Sequence, residues 1–380
     1  MEDHPIFNDE HKAIRRTIRE FVKKELAPHA TEWEEAGEFP STVFQRLGEL
    51  GFLGLHYPEK YGGEDGDYLS GVVLAEEMMH CNSGGVALGV AVLTDMVCPL
   101  LFKVGSEDIK ERYLKPSLQG KKVGCLCITE PDAGSDVASI RTTAKKDGDN
   151  WIINGQKMFI TNGVRADFAI VVSREPGSVG PQGITLFVID KDTPGFTVSK
   201  KLDKLGMRSS DTAELSFQDC VVSDKNRLGD EGQGFYNIMW ELQPERLYAA
   251  VSSVAGSQIV FDETLKYIKE REQFNRPIFK FQAIRHRMAE MATELEAARQ
   301  LTYSVADRIN QGDYPAKEIS MAKLFATRMS FKLNDECLQF HGGYGYMMEY
   351  TIQRAWRDAR VARIGAGTDE VMLEIISRQL

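Results

Sequence analysis

The first third of the chain has the apolar spacing of amphipathic helices. In residues 8–26, Ile14, Ile18 and Phe21 recur on one face, and the Asn8 side chain can cap the start of that helix. The same spacing, with capping residues, predicts further helices at 41–51, 69–80 and 85–103 and one that begins at Ser106. We therefore expect an all-helical N-terminal domain over residues 1–122.

From Val123 the apolar period changes from that of helices to that of strands. Runs rich in β-branched and aromatic residues fall at 123–128, 151–153, 157–161, 168–172, 184–189, 196–200 and 214–222. Turn signals such as Asn154-Gly155 separate these runs, and no helical period intervenes. The pattern predicts a middle domain over residues 123–232 that is an antiparallel sheet or barrel. No G-x-G-x-x-G sequence follows any of these strands, so the usual dinucleotide fingerprint is absent.

Helical spacing returns after Gly234 in three long segments, 233–270, 280–311 and 315–340. Each is far longer than the average helix of about 11–12 residues, which indicates a helical bundle that another subunit could extend. Pro244 is expected to disturb the first segment about ten residues from its start. The third predicted domain therefore covers residues 233–380.

Length and composition are those of an ordinary globular protein. At 380 residues the chain should form two or three domains, and 42% hydrophobic with 27% charged residues is typical. A net charge of -10 argues against nucleic acid as a general partner. The six cysteines include no C-x-x-C, so neither a zinc site nor a disulfide framework is expected and a reducing cytoplasm fits best. Residues 1–10 are acidic and lack the apolar core of a secretory signal.

Residues 83–101 are almost wholly small or apolar and long enough to raise the question of a membrane span. Asp95 lies within this segment, Pro99 lies near its end, and three glycines reduce its apolar surface. We therefore expect a buried helix, with no membrane span.

Two strand ends carry the first candidate chemistry. Residues 125–136 change from an apolar strand to a loop after Thr129, and residues 157–163 end in Thr161-Asn162-Gly163. Two threonines at neighbouring strand ends suggest a flat polar ligand held against a sheet, since glycine lets backbone amides approach a ligand closely. Two ordinary strand-to-turn junctions would give the same pattern.

A second candidate follows Pro244 in the long helix. Proline frees backbone groups and can redirect the next side chain, here Glu245. Read locally, Glu245-Arg246 is equally a solvated charged pair. The glycine-rich breaks at 342–345 and 365–367 allow close approach to a ligand, or they are tight turns between helices.

Several motifs occur together in one order along almost the whole chain. They are Thr129-Glu130-Pro131 with Ala133-Gly134-Ser135-Asp136, Asn154-Gly155-Gln156-Lys157 with Ile160-Thr161-Asn162-Gly163, Ser210-Asp211-Thr212-Ala213-Glu214, Arg271-Glu272-Gln273-Phe274, Gln339-Phe340-His341-Gly342-Gly343 and Gly367-Thr368. In this combination the chain resembles the acyl-CoA dehydrogenase family. Glu241-Leu242, Glu245-Arg246-Leu247 and residues 365–370 make it most similar to the long-chain members.

The resemblance implies a multidomain α+β flavoprotein with an N-terminal helical domain, a middle β-domain and a C-terminal four-helix bundle. It implies removal of two hydrogens from the α and β carbons of an acyl-CoA thioester, with FAD as cofactor and no metal. The implied FAD contacts in the middle domain are Leu126, Ile128, Thr129, Gly134, Ser135, Phe159, Ile160 and Thr161. Those reaching FAD across a subunit boundary are Arg271, Phe274, Gln282, Gln339 and Gly343, and further contacts are Phe281, Gly342, Thr368 and Glu370.

The chain departs from many family members at the catalytic base. Where those members place a glutamate before the last Gly-Thr, this chain has Ala366, which cannot accept a proton. The long-chain and isovaleryl enzymes carry the base at the position of Glu245, so we expect Glu245 to be the base, against a dead or repurposed site. Burial should raise its pKa from about 4.3 towards about 6–7. Ser135, Gln243, Arg246, Ala366 and Gly367 match substrate contacts, with the backbone N–H of Ala366 polarising the thioester carbonyl and Arg246 holding the helix and the pantetheine end.

These features favour a fatty acyl-CoA dehydrogenase for medium-to-long straight chains. Resemblance also suggests a homotetramer of β-oxidation that passes electrons to an electron-transfer flavoprotein, whereas the cytoplasmic location is expected from the cysteines and the N-terminal residues. An acyl-CoA oxidase and a non-catalytic acyl-CoA-binding protein of the same fold remain alternatives. The sequence leaves open the chain length, branching, pathway, electron acceptor and the choice between tetramer and dimer.

Overall fold

The N-terminal third is helical, as predicted. A computed structural model describes residues 4–380. Its first helices are α1 (Asp9–Phe21), α2 (Ala30–Ala36), α3 (Thr42–Glu49), α4 (Tyr68–Met78), α5 (Gly84–Ala91), α6 (Cys98–Val104), α7 (Glu107–Ile109) and α8 (Lys115–Leu118). Both predicted caps are confirmed. The Asn8 side chain accepts a hydrogen bond from the His11 backbone N–H at 2.9 Å, and the Ser106 hydroxyl accepts one from Ile109 at 3.3 Å.

The apolar segment forms one buried rod in which α5 and α6 are joined by a wider π-helical turn, Val92–Val97. By length and composition, Gly84–Val104 could cross a membrane, with a mean hydropathy of 2.0, and 83% of that window is buried inside the structure. A core helix passes the same test of length and composition. The predicted burial of residues 83–101 is therefore confirmed.

The middle of the chain forms one mixed sheet. Its strands are β1 (Gly124–Cys127), β2 (Thr143–Asp147), β3 (Asn150–Thr161), β4 (Phe168–Arg174), β5 (Ile184–Asp190), β6 (Phe196–Lys201), β7 (Thr212–Ser223) and β8 (Arg227–Leu228). Their order is β6-β7-β3-β2-β4-β5-β8, with β1 beside β4. Most neighbours are antiparallel, as predicted, but β1 and β2 each run parallel to β4. Strand β2 was missed because Ala144 is its one buried residue.

Both faces of the central strands are covered. In β4, Phe168, Ile170 and Val172 belong to the main core shared with the helices, whereas Ala169 and Val171 belong to a second core inside the sheet domain. This explains why β4 and β5 read as continuous apolar runs. The sheet therefore offers its strand ends, and not an open face, to a ligand.

The C-terminal part contains three long helices and two short ones. They are α9 (Gly234–Glu270), α10 (Gln282–Asn310), α11 (Ala316–His341), α12 (Thr351–Ala359) and α13 (Asp369–Ser377), with a hairpin of β9 (Glu272–Gln273) and β10 (Arg276–Pro277) between α9 and α10. Helix α11 packs against α9, α10, α12 and α13. The predicted multidomain α+β fold is confirmed.

The expected disturbance at Pro244 does not interrupt α9, which is continuous over 37 residues. Proline removes the N–H that would bond to the carbonyl of Trp240, four residues earlier. The Tyr314 hydroxyl donates to that carbonyl instead. The helix stays intact because another element satisfies its freed acceptor.

Candidate functional site

Glu245 lies inside the molecule, opposite the glycine-rich turn that precedes α13. The backbone N–H of Ala366 is close enough to the Glu245 carboxyl to lower its pKa. Arg246 donates through Nε to the Ala366 carbonyl at 3.0 Å, and Lys323 donates to the Gly367 carbonyl at 2.6 Å. The side chain of residue 245 and the backbone of residue 366 therefore share one cleft, although 120 positions separate Arg246 from Ala366 in the sequence.

Burial controls the charge of this site. It raises the pKa of Glu245 to about 7, in spite of the opposing effects of Arg246, Lys323 and the Ala366 backbone. The carboxyl still keeps part of its surface accessible, which is consistent with a cavity inside the protein. Burial also lowers the pKa of Lys323 to about 8. A carboxyl poised near neutrality beside backbone donors can exchange a proton at physiological pH.

The turn at Ala366 has a strained backbone. Ala366 has φ 56° and Gly367 has φ 100°, both in the left-handed region that alanine rarely adopts. Lys323 and Arg246 hold the two carbonyls of this turn, so its N–H groups are held in place. Strained backbone conformations of this kind are concentrated at active sites and ligand-binding segments, so the turn at Ala366 is a candidate part of a functional site.

Lys323 was missed at the sequence level, although a signal exists. It lies on the apolar stripe of α11, four residues after Ile319 and three before Ala326, and its side chain is fully buried. A lysine at a core-facing helical position needs a partner, and the Gly367 carbonyl provides one.

The first predicted strand end, at Thr129, lies against β3 at Met158, three residues before the predicted second end at Thr161. Met158 donates its backbone N–H to the Thr129 carbonyl at 2.9 Å, and the Thr129 hydroxyl donates to the Met158 carbonyl. Buried Lys157 donates to the Ile128 carbonyl at 3.0 Å and pairs with Glu130 at 2.8 Å. This buried pair fixes the end of β1 against β3.

Phe159 and its neighbours have the geometry of a ligand platform. Phe159 has φ 64° and its side chain is 68% exposed, at an irregularity between β3 and β7. Ile160 is buried beneath, whereas Thr161 and Leu126 are half-buried. An exposed aromatic ring held in a left-handed conformation leaves space for a planar partner.

The loop after Thr129 is anchored at its base and open at its tip. The Glu130 carboxylate accepts hydrogen bonds from the backbone N–H groups of Arg141 at 2.6 Å and Thr142 at 3.0 Å. Gly134 and Ser135 are exposed, and no heavy atom lies within 4 Å of the Cβ that a side chain at Gly134 would add. A ligand can therefore approach this backbone without displacing protein.

The remaining predicted contacts lie around a separate cavity of about 520 Å³ at the end of the helical bundle, lined in part by Arg271, Gly342 and Gly343. Phe274, at the tip of the β9–β10 hairpin, is 87% exposed and packs edge-on against Phe281. Gln282 and Gln339 are exposed as well. Within residues 4–380, no hydrogen bond, ion pair or ring contact connects this cavity to the strand ends. The two groups of predicted contacts are therefore not in direct contact within the described residues of one protomer.

The last predicted contacts flank α13. The Thr368 side chain accepts from the Val371 backbone N–H at 3.3 Å and caps the helix, and Glu370 is exposed in its first turn. Gln243, one turn before Leu247 on α9, donates to the Met239 carbonyl at 3.1 Å, and its Oε1 has no partner within the described residues.

Comparison with known proteins places this geometry in a family. Models of the acyl-CoA dehydrogenase N-terminal, middle and C-terminal domains match residues 8–121, 125–220 and 232–380. The chain belongs to the acyl-CoA dehydrogenase family.

Relatives match it over nearly its full length. The mitochondrial long-chain specific acyl-CoA dehydrogenase of Mus musculus is 39% identical over 378 residues, which are 99% of this chain and 87% of the relative. The caffeyl-CoA reductase-Etf complex subunit CarC of Acetobacterium woodii is 38% identical, with 98% and 99% covered. The crystal structure of an acyl-CoA dehydrogenase from Geobacillus kaustophilus is similar with a TM-score of 0.96 and 41% identity, covering 99% of each chain.

Acyl-CoA dehydrogenase family members bind FAD, and the residues present fit it. The exposed Phe159 ring, the open backbone at Gly134 and the paired strand ends at Thr129 and Met158 suit a planar polar ring system. The glycine-lined cavity at residues 342–343 suits the approach of a second polar part. In the part of the chain that the structure describes, no group of three or more His, Cys, Asp or Glu residues is placed to hold a metal ion.

Proposed function

We propose that this protein catalyses the α,β-dehydrogenation of fatty acyl-CoA thioesters to trans-2-enoyl-CoA, with Glu245 as the base that removes the α-proton. The observation that carries the proposal is the Glu245 carboxyl beside the Ala366 backbone, with its pKa raised to about 7 by burial. Alanine at position 366 leaves the site without a side-chain base there, and Glu245 supplies one in the same cleft.

The raised pKa makes Glu245 a stronger base. A carboxyl moved from its ordinary 4.5 to about 7 gains about 3 kcal/mol of proton affinity. An α-proton beside a thioester is only weakly acidic, and a base with a pKa near the working pH combines ionisation with proton affinity. Arg246 and Lys323 oppose this rise, but both donate to turn carbonyls.

The turn before α13 supplies the matching electrostatic group. With their carbonyls held by Arg246 and Lys323, Ala366 and Gly367 present backbone N–H groups from a fixed position. Such donors polarise a thioester carbonyl and stabilise the enolate charge that forms as the proton leaves, an effect worth about 3–4 kcal/mol per donor. Glu245 and the turn therefore act on adjacent atoms of one substrate.

The strand ends and the bundle cavity hold the cofactor in this proposal. When bound, FAD supplies the acceptor for the hydride from the β-carbon. Thr129 and Thr161 would offer hydroxyl oxygens to bound FAD, Phe159 would pack against its ring system, and Gly134 and Ser135 would let the backbone approach it. Lys157 and Glu130 do not touch it, but fix the loop that does.

The rod Gly84–Val104 borders the acyl group. Ala91, Val92 and Met96 are buried, whereas Asp95 and Pro99 keep some accessible surface. Small side chains along the rod leave depth for a medium-to-long chain, and the similarity to a protein named for long-chain substrates supports this preference.

The proposal also includes a homotetrameric assembly and an electron-transfer flavoprotein as partner. The predicted FAD contacts at Arg271, Phe274 and Gln339 are exposed, so a neighbouring copy has access to them, and in this proposal the protein is a homotetramer in which that copy shares in FAD binding. One relative is named as a subunit of a complex with Etf, which supports an electron-transfer flavoprotein as electron acceptor. A role in fatty acid β-oxidation follows only from the proposed reaction.

Anaerobic flavin reduction tests the function. Holoenzyme is mixed with a series of straight-chain acyl-CoAs, and the flavin absorbance is followed for the parent, Glu245→Gln and a control variant, Glu263→Gln, on the exposed face of the same helix. We expect rapid bleaching in the parent and the control and at least a thousandfold slower bleaching in Glu245→Gln. Equal bleaching in all three would remove Glu245 from the mechanism.

The same experiment separates the alternatives. Fast reaction of the product-bound reduced flavin with oxygen would indicate an oxidase, whereas reoxidation only by an electron-transfer flavoprotein supports the dehydrogenase. Absence of bleaching at every chain length would favour a non-catalytic acyl-CoA-binding protein. The mass in solution, relative to the 42.6 kDa chain, decides between dimer and tetramer.

A further inference from the structure

A second carboxyl lies one helical turn before the proposed base. Glu241 is fully buried, and within residues 4–380 neither of its carboxyl oxygens has a hydrogen-bond partner. Residues four apart lie on the same face of a helix, so Glu241 and Glu245 face the same space. A buried carboxyl with no partner is rare and costly, because it has lost its water without gaining a replacement. The mechanism proposed above does not use it.

A third carboxyl faces Glu241 from the apolar rod. In the π-helical turn Val92–Val97 every residue is buried except Asp95, so the turn borders an internal space at that position. One Asp95 oxygen accepts from the Thr94 hydroxyl at 2.7 Å. Burial raises the pKa of Glu241 well above its ordinary value, the charge of Glu245 adds to this rise, that of Arg246 opposes it and that of Asp95 adds to it. Helix α9 packs against the turn Val92–Val97, so Asp95 and Glu241 lie on neighbouring elements. Turns of this kind occur often at functional sites.

The cations nearby are already engaged with other acceptors. Arg246 donates to the Ala366 carbonyl and Lys323 to the Gly367 carbonyl. The Tyr314 hydroxyl donates to the Trp240 carbonyl. The Arg246 charge is close enough to oppose the rise in the Glu241 pKa, but within residues 4–380 none of these donors forms a hydrogen bond with Glu241, so both of its oxygens keep free acceptor positions.

Aromatic side chains complete the surroundings. The charge of Asp95 acts on the hydroxyls of Tyr57, Tyr68 and Tyr248, so all three lie near it. The Tyr248 hydroxyl is buried and has no partner in the described part of the chain. Carboxylates beside aromatic rings are the combination that recognises ammonium groups.

From this geometry we infer that the acyl pocket binds acyl groups that carry a hydrogen-bond donor beyond the reacting carbons, an ammonium group first and a hydroxyl next, with Glu241 and Asp95 as its acceptors. The inference rests on the proposed function, because it describes the far end of the same substrate. One helical turn is about 5.4 Å, or roughly four carbon–carbon bonds, which places the donor near the sixth carbon of the acyl chain.

Three acyl-CoAs of equal length test the inference. Heptanoyl-CoA, 6-hydroxyhexanoyl-CoA and 6-aminohexanoyl-CoA differ only in the terminal group, and kcat/KM is measured for each with the holoenzyme at pH 8. We expect the amino substrate to exceed heptanoyl-CoA at least tenfold, with the hydroxy substrate between them. Glu241→Leu should reverse this order, whereas Glu263→Gln on the exposed face of the same helix should leave it unchanged.

Glu241→Gln and Asp95→Asn keep the shape of the pocket, so they serve if Glu241→Leu does not fold. Both should lose the preference for the amino group and keep that for the hydroxyl. Binding of the unreactive thioethers S-heptyl-CoA and S-(6-aminohexyl)-CoA, measured by titration of the flavin spectrum, should follow the same order without turnover.

The outcomes separate this inference from the proposed function. Turnover of heptanoyl-CoA at least as fast as that of the two polar substrates would overturn the inference and leave the dehydrogenase intact. An amino preference that persists in Glu241→Leu and Asp95→Asn would overturn the assignment to these carboxyls. Failure of all three substrates to bleach the flavin would overturn both.

Discussion

The raised pKa of Glu245 has a measurable consequence for stability. A glutamate whose pKa is 4.5 in the unfolded chain and about 7 in the folded protein binds its proton more tightly when folded. Below pH 4.5 the carboxyl is protonated in both the folded and the unfolded state, so Glu245 does not reduce the free energy of unfolding. As the pH rises from 4.5 through about 7, the unfolded state loses this proton first and the free energy of unfolding falls. Glutamine has the shape of the protonated acid and no charge. Glu245→Gln should therefore remove the loss of stability that ionisation of the Glu245 carboxyl causes at higher pH.

The size of the effect follows from these two pKa values. Linkage gives a stabilisation by Glu245→Gln of about 1.5 kcal/mol at pH 5.5 and about 3.5 kcal/mol at pH 8.5, a rise of about 2 kcal/mol. These are upper values, because the carboxyl keeps part of its surface accessible and water screens it. The gain should saturate above pH 8.

Thermal or denaturant unfolding of the parent and of Glu245→Gln, both loaded with FAD, from pH 5.5 to pH 8.5 measures this difference. Glu263→Gln is exposed on the same helix and should show no such trend. A gain that is the same at every pH, or a loss at pH 8.5, would refute the reasoning, because it would mean that the Glu245 carboxyl is ionised without penalty.

Three further changes test the structure around the site. Lys157→Met leaves the buried Glu130 carboxylate without its cation, so we expect a loss of about 3–5 kcal/mol in unfolding experiments and a lower flavin-to-protein absorbance ratio. Tyr314→Phe leaves the Trp240 carbonyl without its donor and should cost about 1 kcal/mol in denaturant unfolding. Ala366→Gly relieves a left-handed alanine and should raise stability by roughly 1 kcal/mol, seen as a higher Tm, and an unchanged or lower Tm would contradict this.

Local signals predicted much of the fold. The Asn8 and Ser106 caps and the three long C-terminal helices are visible in sequence because capping and helical periodicity act over a few residues. Strand β2 was not visible, because its Lys-Lys-Asp sequence is exposed and its pairing depends on β3. The parallel pairing of β1 with β4 joins residues some 44 positions apart, for which no local pattern exists.

The candidate site was only partly readable. Glu245 is followed by an arginine and looks locally like a surface pair, and only the fold shows that the Ala366 turn, Lys323 and Arg246 enclose it. The continuity of α9 through Pro244 likewise depends on Tyr314, 74 residues away from the carbonyl it satisfies. Long-range partners of this kind decide whether a charged residue is solvated or buried, and sequence spacing does not encode them.

In the mechanism proposed here, the left-handed turn at residue 366 contributes main-chain groups in a fixed conformation and no side-chain chemistry. Its carbonyls are clamped by Arg246 and Lys323, and what it offers the substrate is main chain. The side chain of residue 366 therefore takes no part in the proposed reaction. Only the left-handed backbone conformation restricts which residue can stand there. Residues that tolerate φ near 56°, asparagine and glycine foremost, should be interchangeable there, whereas a β-branched residue should not.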